Sequence, residues 1–66
     1  MTLLINGENK EFEDGVTLEF IIKDLQIEDK VMAAAVNMNI IKKEQWGSFQ
    51  PSDDDKLELL QFVGGG

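Results

Sequence analysis

The sequence contains no cysteine, histidine, tyrosine or arginine among its 66 residues. Histidine and cysteine supply most general bases and thiol nucleophiles, so a Ser-His-Asp triad or a cysteine nucleophile is excluded. Zinc would also lack its usual nitrogen and sulfur ligands. Without cysteine there are no disulfide bonds, and a reducing compartment is permitted. We therefore expect a protein that is not an enzyme and binds neither a metal nor a cofactor of its own.

Positive charge is also scarce, because six lysines face 13 acidic residues and the formal net charge is −7. Binding to nucleic acid or to an anionic membrane needs a basic patch, and the longest basic run is Lys42-Lys43. Neither partner is expected, whereas the acidity favours a basic protein partner. The sequence shows no signal-peptide pattern and no apolar run near the roughly 20 residues of a membrane span, so we expect a cytoplasmic protein.

The first half of the chain predicts a hairpin followed by a helix. Thr2–Ile5 is a short apolar run typical of a buried strand, and Asn6-Gly7 is a two-residue hairpin turn. The alternation in residues 10–13 predicts an edge strand. A helix over residues 17–25 is predicted with Thr17 as its N-cap. Its apolar side chains recur at helical spacing, namely Leu18, Ile21, Ile22 and Leu25.

The run Val31–Val36 predicts a second buried strand, which a turn over residues 37–39 connects to a short strand at residues 40–41. Strand alternation divides the side chains of the longer strand between two faces, with Met32, Ala34 and Val36 inward and Ala33 and Ala35 outward.

A long loop, an acidic turn and a final strand complete the chain. The loop over residues 44–52 carries Trp46 and Phe49, which are expected to attach it to the core. The aspartates at residues 53–55 lack the alternate ligand spacing of a calcium loop, so a solvated turn is expected. In the strand predicted over residues 56–63, Leu57 and Leu59 point to one face and Leu60 and Phe62 to the other.

The chain ends in Gly64, Gly65 and Gly66. Three glycines span about 10 Å when extended, and without Cβ atoms they can enter a channel too narrow for other residues. The carboxylate of Gly66 could then be activated with ATP as an acyl-adenylate inside a partner enzyme. A frayed terminus, or glycines appended to the domain, would give the same pattern. The tail alone leaves these alternatives open.

Taken together, these segments resemble the ubiquitin-like sulfur carriers of thiamin biosynthesis, and the resemblance covers essentially the whole chain. The matching segments are Asn6-Gly7 after the first strand, Thr17-Leu18 at the helix start, residues 35–41, residues 44–46 and the closing strand with Gly65-Gly66. The chain departs from the family at Lys42-Lys43, where proline and arginine are usual, and at Asp54-Asp55, where a Gly-Asp turn is usual.

The resemblance implies an α+β fold of the β-grasp type, in which one main helix packs on one face of a mixed sheet of four to five strands. Residues 1–63 would form this domain and residues 64–66 a flexible tail. Gly66 would be adenylated with ATP by a ubiquitin-activating-like adenylyltransferase, with Gly64 and Gly65 threading the active site. A sulfur-donor enzyme would convert it to a thiocarboxylate, which would pass its sulfur to thiazole synthase.

The ubiquitin-like register also implies a docking patch on the outer sheet face. Its expected members are Leu60, Phe62, Val63, Ala33 and Ala35. A simpler interpretation places Leu60 and Phe62 in the core.

Three alternative functions remain open from the sequence. The small subunit of molybdopterin synthase also ends in two glycines and donates sulfur to a pterin precursor. A ubiquitin-like modifier would form conjugates of high mass with other proteins. A plain interaction domain with an inert tail would be unaffected by deletion of Gly65-Gly66.

Overall fold

The computed structural model describes residues 1–62, which form a five-stranded mixed sheet covered on one face by a single α-helix. In chain order the elements are β1 Thr2–Ile5, β2 Glu8–Glu11, α1 Leu18–Asp24, β3 Val31–Val36, β4 Asn39–Ile41, a 3₁₀ helix Lys43–Gln45 and β5 Lys56–Gln61. The strands lie in the order β2-β1-β5-β3-β4, with β1 parallel to β5 and the other neighbours antiparallel. The predicted α+β class and strand number are confirmed.

The Asn6-Gly7 turn determines where β2 begins. Its two residues have φ angles of 49° and 86°, the left-handed values that a two-residue hairpin needs, and Ile5 pairs directly with Glu8. The strand therefore starts immediately after the turn and ends at Glu11. The predicted edge strand is present, but its predicted bounds, residues 10–13, were two residues too late, because the tight turn, rather than the polar–apolar alternation, fixes the register.

The loop after the 3₁₀ helix caps α1. Thr17 accepts a hydrogen bond from the Phe20 N–H at 3.1 Å through its side-chain oxygen. The Leu18 and Glu19 N–H groups donate to loop carbonyls, those of Phe49 at 2.8 Å and of Trp46 at 3.0 Å. These bonds satisfy the free donors of the first helical turn. They also confirm that this loop is attached to the core.

The core lies between α1 and the inner face of the sheet. Its buried members are Leu3, Ile5, Leu18, Ile21, Ile22, Val31, Ala34, Val36, Trp46, Leu57 and Leu59. The Trp46 indole N–H donates to the Ile41 carbonyl at 2.9 Å, so its polar group is satisfied despite burial. The helical stripe and the inward face of β5 are as the sequence predicts.

A β-bulge near the start of β3 changes which side chains face inward. Val31 pairs with Gln61 but Ala33 pairs with Leu60, so two steps along β3 match one step along β5. Val31 is buried and Met32 is exposed. The prediction that Met32 points inward was therefore wrong, because simple alternation fails across a bulge. The inward positions of Ala34 and Val36 are confirmed.

The final strand is central and slightly shorter than predicted. It ends at Gln61, and the Phe62 N–H donates to the Lys30 carbonyl just beyond it. Val63, the predicted last residue of the strand, lies outside the described residues. Within residues 1–62, α1 and the 3₁₀ helix are both too short to cross a membrane.

Candidate functional site

The outer face of the sheet carries large apolar side chains that no other element of residues 1–62 covers. Leu60 and Phe62, both on the final segment, are 61% and 60% exposed. Leu57 and Leu59, which alternate with Leu60 along β5, are buried. The interpretation that placed Leu60 and Phe62 in the core is therefore wrong, and β5 presents apolar residues to solvent.

Alanines on β3 make this face shallow beside β5. Ala33 pairs with Leu60 and Ala35 pairs with Glu58, and both alanines are partly buried. Ile40 pairs with Ala35 from the other side and extends the apolar surface to β4. Four of the five predicted docking residues are thus described: Ala33, Ala35 and Leu60 line one groove of this face, and Phe62 is exposed just beyond the end of β5.

Two further apolar residues of this face were missed from the sequence. Ile40 is 69% exposed and Met38 is 76% exposed. The available signal for Ile40 was its neighbour Ile41, which packs against the core, so alternation sends Ile40 outward. Met38 gave no such signal because it lies in the turn between β3 and β4. We define the outer-face patch as Ala33, Ala35, Met38, Ile40, Leu60 and Phe62.

A groove of about 430 Å³ runs across this face and is lined by most of the outer-face patch. Two polar residues, Asn6 and Glu58, also line it. Contiguous exposed apolar surface with a few polar groups is typical of a site for a protein partner. The groove is open and shallow, as expected for a docking surface.

Asn6 holds the central strand from one side. Its Oδ1 accepts from the Leu59 N–H at 2.8 Å, and its Nδ2 donates to the Leu59 carbonyl at 3.2 Å. The backbone of β1 pairs with β5 only at Leu4–Lys56 and Ile5–Leu57. The Asn6 side chain therefore supplies the next step of hydrogen bonding after the β1 backbone turns away.

The residues predicted to dock and react at the chain end follow Phe62 in sequence. Val63, Gly64, Gly65 and Gly66 lie outside the described residues, so their arrangement is not part of the site geometry. Phe62, the last described residue, is tied by its N–H to the Lys30 carbonyl. The outer-face patch thus extends to Phe62, which only Val63 separates in sequence from the predicted reactive tail.

The carboxylates of the acidic turn accept hydrogen bonds from nearby backbone and side-chain groups. Asp53 Oδ1 accepts from the Thr2 N–H at 2.7 Å, and Asp55 accepts from the Ser52 N–H at 2.8 Å and the Asn37 side chain at 2.9 Å. Within residues 1–62, no three acidic side chains come together in a way that could hold a metal ion. The turn interpretation of residues 53–55 accounts for these bonds.

A second groove, of about 340 Å³, lies on the helix side of the sheet. Glu19 and Lys23 in its wall form an ion pair at 3.3 Å, and the Lys43 ammonium lies 6.0 Å from the centre of the Trp46 ring. Glu28 and Asp29 also line this groove, and its apolar walls belong to the buried core residues Ile22 and Trp46. Lys43 therefore lies away from the outer-face patch.

Comparison with known proteins places this geometry in a family context. The model of the ThiS family matches residues 3–66. The sulfur carrier protein ThiS of Bacillus subtilis is 32% identical over 65 residues, which cover 97% of this chain and 98% of that protein. A thiazole synthase of Paramagnetospirillum magneticum is 35% identical over 66 residues. The chain spans only 20% of the length of that synthase.

A solved structure confirms the architecture. The crystal structure of the thiamine biosynthesis protein ThiS from Geobacter metallireducens superposes with a TM-score of 0.81 and covers all of both chains. Its sequence is 23% identical, so it supports the fold alone. The predicted β-grasp fold, with one helix against a mixed sheet, is confirmed.

Proposed function

Because the chain belongs to the ThiS family, we propose that it is a sulfur carrier protein of thiamin biosynthesis that acts through the carboxylate of Gly66. The observation that carries this proposal is the extent of the family match, which runs from residue 3 through the terminal glycines to residue 66. The absence of cysteine and histidine is compatible with it, because sulfur held on a terminal carboxyl needs no side-chain thiol or base.

The proposed chemistry has two steps, both at the terminal carboxyl group of Gly66. A carboxylate oxygen of Gly66 attacks the α-phosphorus of ATP, and pyrophosphate leaves as an acyl-adenylate forms. A hydrosulfide ion that a sulfur-donor enzyme releases then attacks the carbonyl carbon, AMP leaves as the C–S bond forms, and the S–H proton is lost to solvent. The product is a thiocarboxylate. This chain supplies the electrophile, and its partners supply the catalytic groups.

Tail length and docking surface fit this division of labour. The three glycines reach about 10 Å, which is enough for Gly66 to enter a closed site while the folded domain stays outside. Gly64 and Gly65 would line the narrowest part of the path because neither has a Cβ atom. The outer-face patch and Val63 would dock on a ubiquitin-activating-like adenylyltransferase and hold the tail at its entrance.

Thiazole synthase is the proposed acceptor of the sulfur. Two thiazole synthases, from Paramagnetospirillum magneticum and Magnetococcus marinus, each contain a stretch similar to this whole chain within a protein about five times longer. A carrier-like segment and a synthase within one polypeptide would keep the two close together at high effective concentration. This arrangement supports a functional contact between this domain and a thiazole synthase.

The proposal is tested by measuring the intact mass of the protein after incubation with ATP and a sulfur source in an extract of its own source cells. We expect the mass increase for replacing one oxygen by sulfur, mapped by fragmentation to Gly66. Two control variants, one lacking Gly66 and one with a single residue added after it, should fold normally and show no increase.

Three outcomes would contradict the proposal. No increase, in an extract that loads a known carrier of this type, would exclude the carrier role. Loading of the extended variant would exclude the terminal carboxylate as the reactive group. Conjugates of high mass in place of the small increase would favour a protein modifier.

A further inference from the structure

Glu58 is a charged residue at the centre of a face that is otherwise largely apolar. It lies on β5 and pairs with Ala35 of the neighbouring strand β3. It lines the outer groove together with Met38, Ile40 and Leu60. Its side chain is exposed and forms no ion pair within residues 1–62. Lys56 precedes it by two residues on the same face of β5, yet the two do not approach within ion-pair distance.

The fold itself does not explain a glutamate at this position. Glutamate is among the residues depleted in strands, and β5 is the central strand of the sheet. Its cross-strand neighbour Ala35 is too small to cover the aliphatic part of the side chain, and its carboxylate bonds to no other described residue. An apolar or β-branched residue would suit the strand better.

A partner that covers the outer-face patch would also cover Glu58. Removing a carboxylate from water without a counter-charge costs several kcal/mol, more than the contacts around it would restore. A lysine or arginine on the partner would remove that cost and would reject surfaces that lack it. The net charge of −7 adds a long-range attraction toward such a basic surface.

We propose that Glu58 is a specificity-determining contact of the outer-face patch, and that it pairs with a lysine or arginine side chain of the adenylating partner. This inference rests on the proposed function, since it names the chemistry of the surface on which the carrier docks. The apolar patch then supplies most of the contact area, and Glu58 selects the partner that presents a positive charge at the matching position.

The experiment measures ATP–pyrophosphate exchange by the purified adenylyltransferase of the source organism, with the full chain as the variable substrate. KM and kcat are determined for the wild type and for Glu58→Gln, Glu58→Lys and Glu58→Leu at several NaCl concentrations. Glu44→Gln, which neutralises an exposed carboxylate of the 3₁₀ helix, is the control. Urea unfolding of every variant verifies that the fold is retained.

We expect Glu58→Gln to raise KM about fivefold with kcat unchanged, and Glu58→Lys to raise KM further. KM of the glutamine variant should depend less on salt than that of the wild type, because one charge pair is lost. Glu44→Gln should match the wild type. A purely structural role would lower stability and leave the salt dependence as it was.

Two results would overturn the inference alone. One is exchange with the wild type but an equal KM and an equal salt dependence for Glu58→Gln. The other is a lower KM for Glu58→Leu, which would mean that the partner presents an apolar surface there. If the wild type supports no exchange at all, the adenylation step of the proposed function fails, and this inference fails with it.

Discussion

Met38 is an apolar residue in the left-handed backbone conformation, which is unfavourable for most residues other than glycine. It has a φ of 74° in the turn between β3 and β4, next to Asn37 with a φ of 50°. Asparagine tolerates left-handed backbone, whereas a methionine there brings its Cβ close to the following carbonyl. Its side chain is exposed on the outer face and contributes little to the core. This combination is understandable if Met38 is retained for contact with a partner.

Replacing Met38 with glycine should therefore move stability and docking in opposite directions. We expect Met38→Gly to raise the free energy of unfolding by about 0.5–1 kcal/mol, because the backbone strain is relieved. The same variant should raise KM for the adenylating partner about twofold or more, since an exposed contact is lost. Urea unfolding and pyrophosphate exchange measure the two effects.

Met38→Ala is the matched control for this pair of measurements. It removes the side-chain contact but keeps the Cβ atom, so it should weaken docking to a similar degree without the gain in stability. If Met38→Gly lowers stability, the left-handed turn carries no strain and this account of Met38 is wrong.

Among the elements, β5 depends on a side chain for part of its pairing. Its C-terminal half is bonded to β3 on one side, whereas on the other side the Asn6 carboxamide provides both bonds to Leu59. The patch residues Leu60 and Phe62 follow directly. Asn6 thus serves two purposes, since it also adopts the positive φ of the hairpin turn.

Asn6→Gly separates these two purposes because glycine accepts the turn conformation but cannot bond to Leu59. We expect the free energy of unfolding to fall by about 1–2 kcal/mol, the cost of two lost hydrogen bonds at a part-buried site. Amide hydrogen exchange at Leu59, whose N–H loses its acceptor, should accelerate more than exchange at Leu4, whose N–H still donates to the Asp55 carbonyl. Asn9→Ala, at an exposed position on β2, is the control. Equal acceleration at both amides would contradict the role assigned to Asn6.

The elements that local sequence could predict are those with local causes. The Asn6-Gly7 turn, the Thr17 cap and the stripe on α1 each depend on residues within a few positions of one another. The bulge at Met32 could not be predicted, because it arises where β3 and β5 pair and these strands are far apart in sequence. The start of β2 also has a local cause, because the two-residue turn, and not the polar–apolar alternation, fixes it.

The candidate site likewise contains some residues that local sequence predicts and others that it does not. Alternation along a single strand identified Leu60 and Phe62 as outward residues. Ile40 and Met38 join the patch only because β4 pairs with β3, which is a property of the sheet order. The contact between Asn6 and Leu59 likewise could not be predicted from local sequence, since the two residues are 53 positions apart.

At the scale of the whole molecule, two exposed aromatic side chains within residues 1–62 lie on opposite sides of the sheet. Phe62 is at the end of the outer-face patch, and Phe20 is on α1, across the sheet from it, with 51% of its surface exposed. Both are phenylalanines of similar exposure, so general hydrophobicity does not distinguish them. Of these two, Phe62 belongs to the outer-face patch and lies close in sequence to the predicted tail.

This pair gives a matched test of which face docks. We expect Phe62→Ala to weaken binding to the adenylyltransferase by more than about 1 kcal/mol, as for an aromatic anchor, with a small change in stability. Phe20→Ala should leave binding unchanged. Calorimetric titration of both variants measures the difference. A larger loss for Phe20→Ala would assign docking to the helix side.

Because β5 lies at the centre of the sheet, the fold can form only in a chain that includes this last strand. The last strand in sequence is inserted between β1 and β3, so a polypeptide that stops before Lys56 leaves those two strands without a shared neighbour and the core without Leu57 and Leu59. During synthesis the sheet cannot be completed until the segment next to the terminal glycines has left the ribosome. A prematurely terminated chain would stay unfolded and be open to proteolysis, and would not compete with the intact chain for the proposed docking partner.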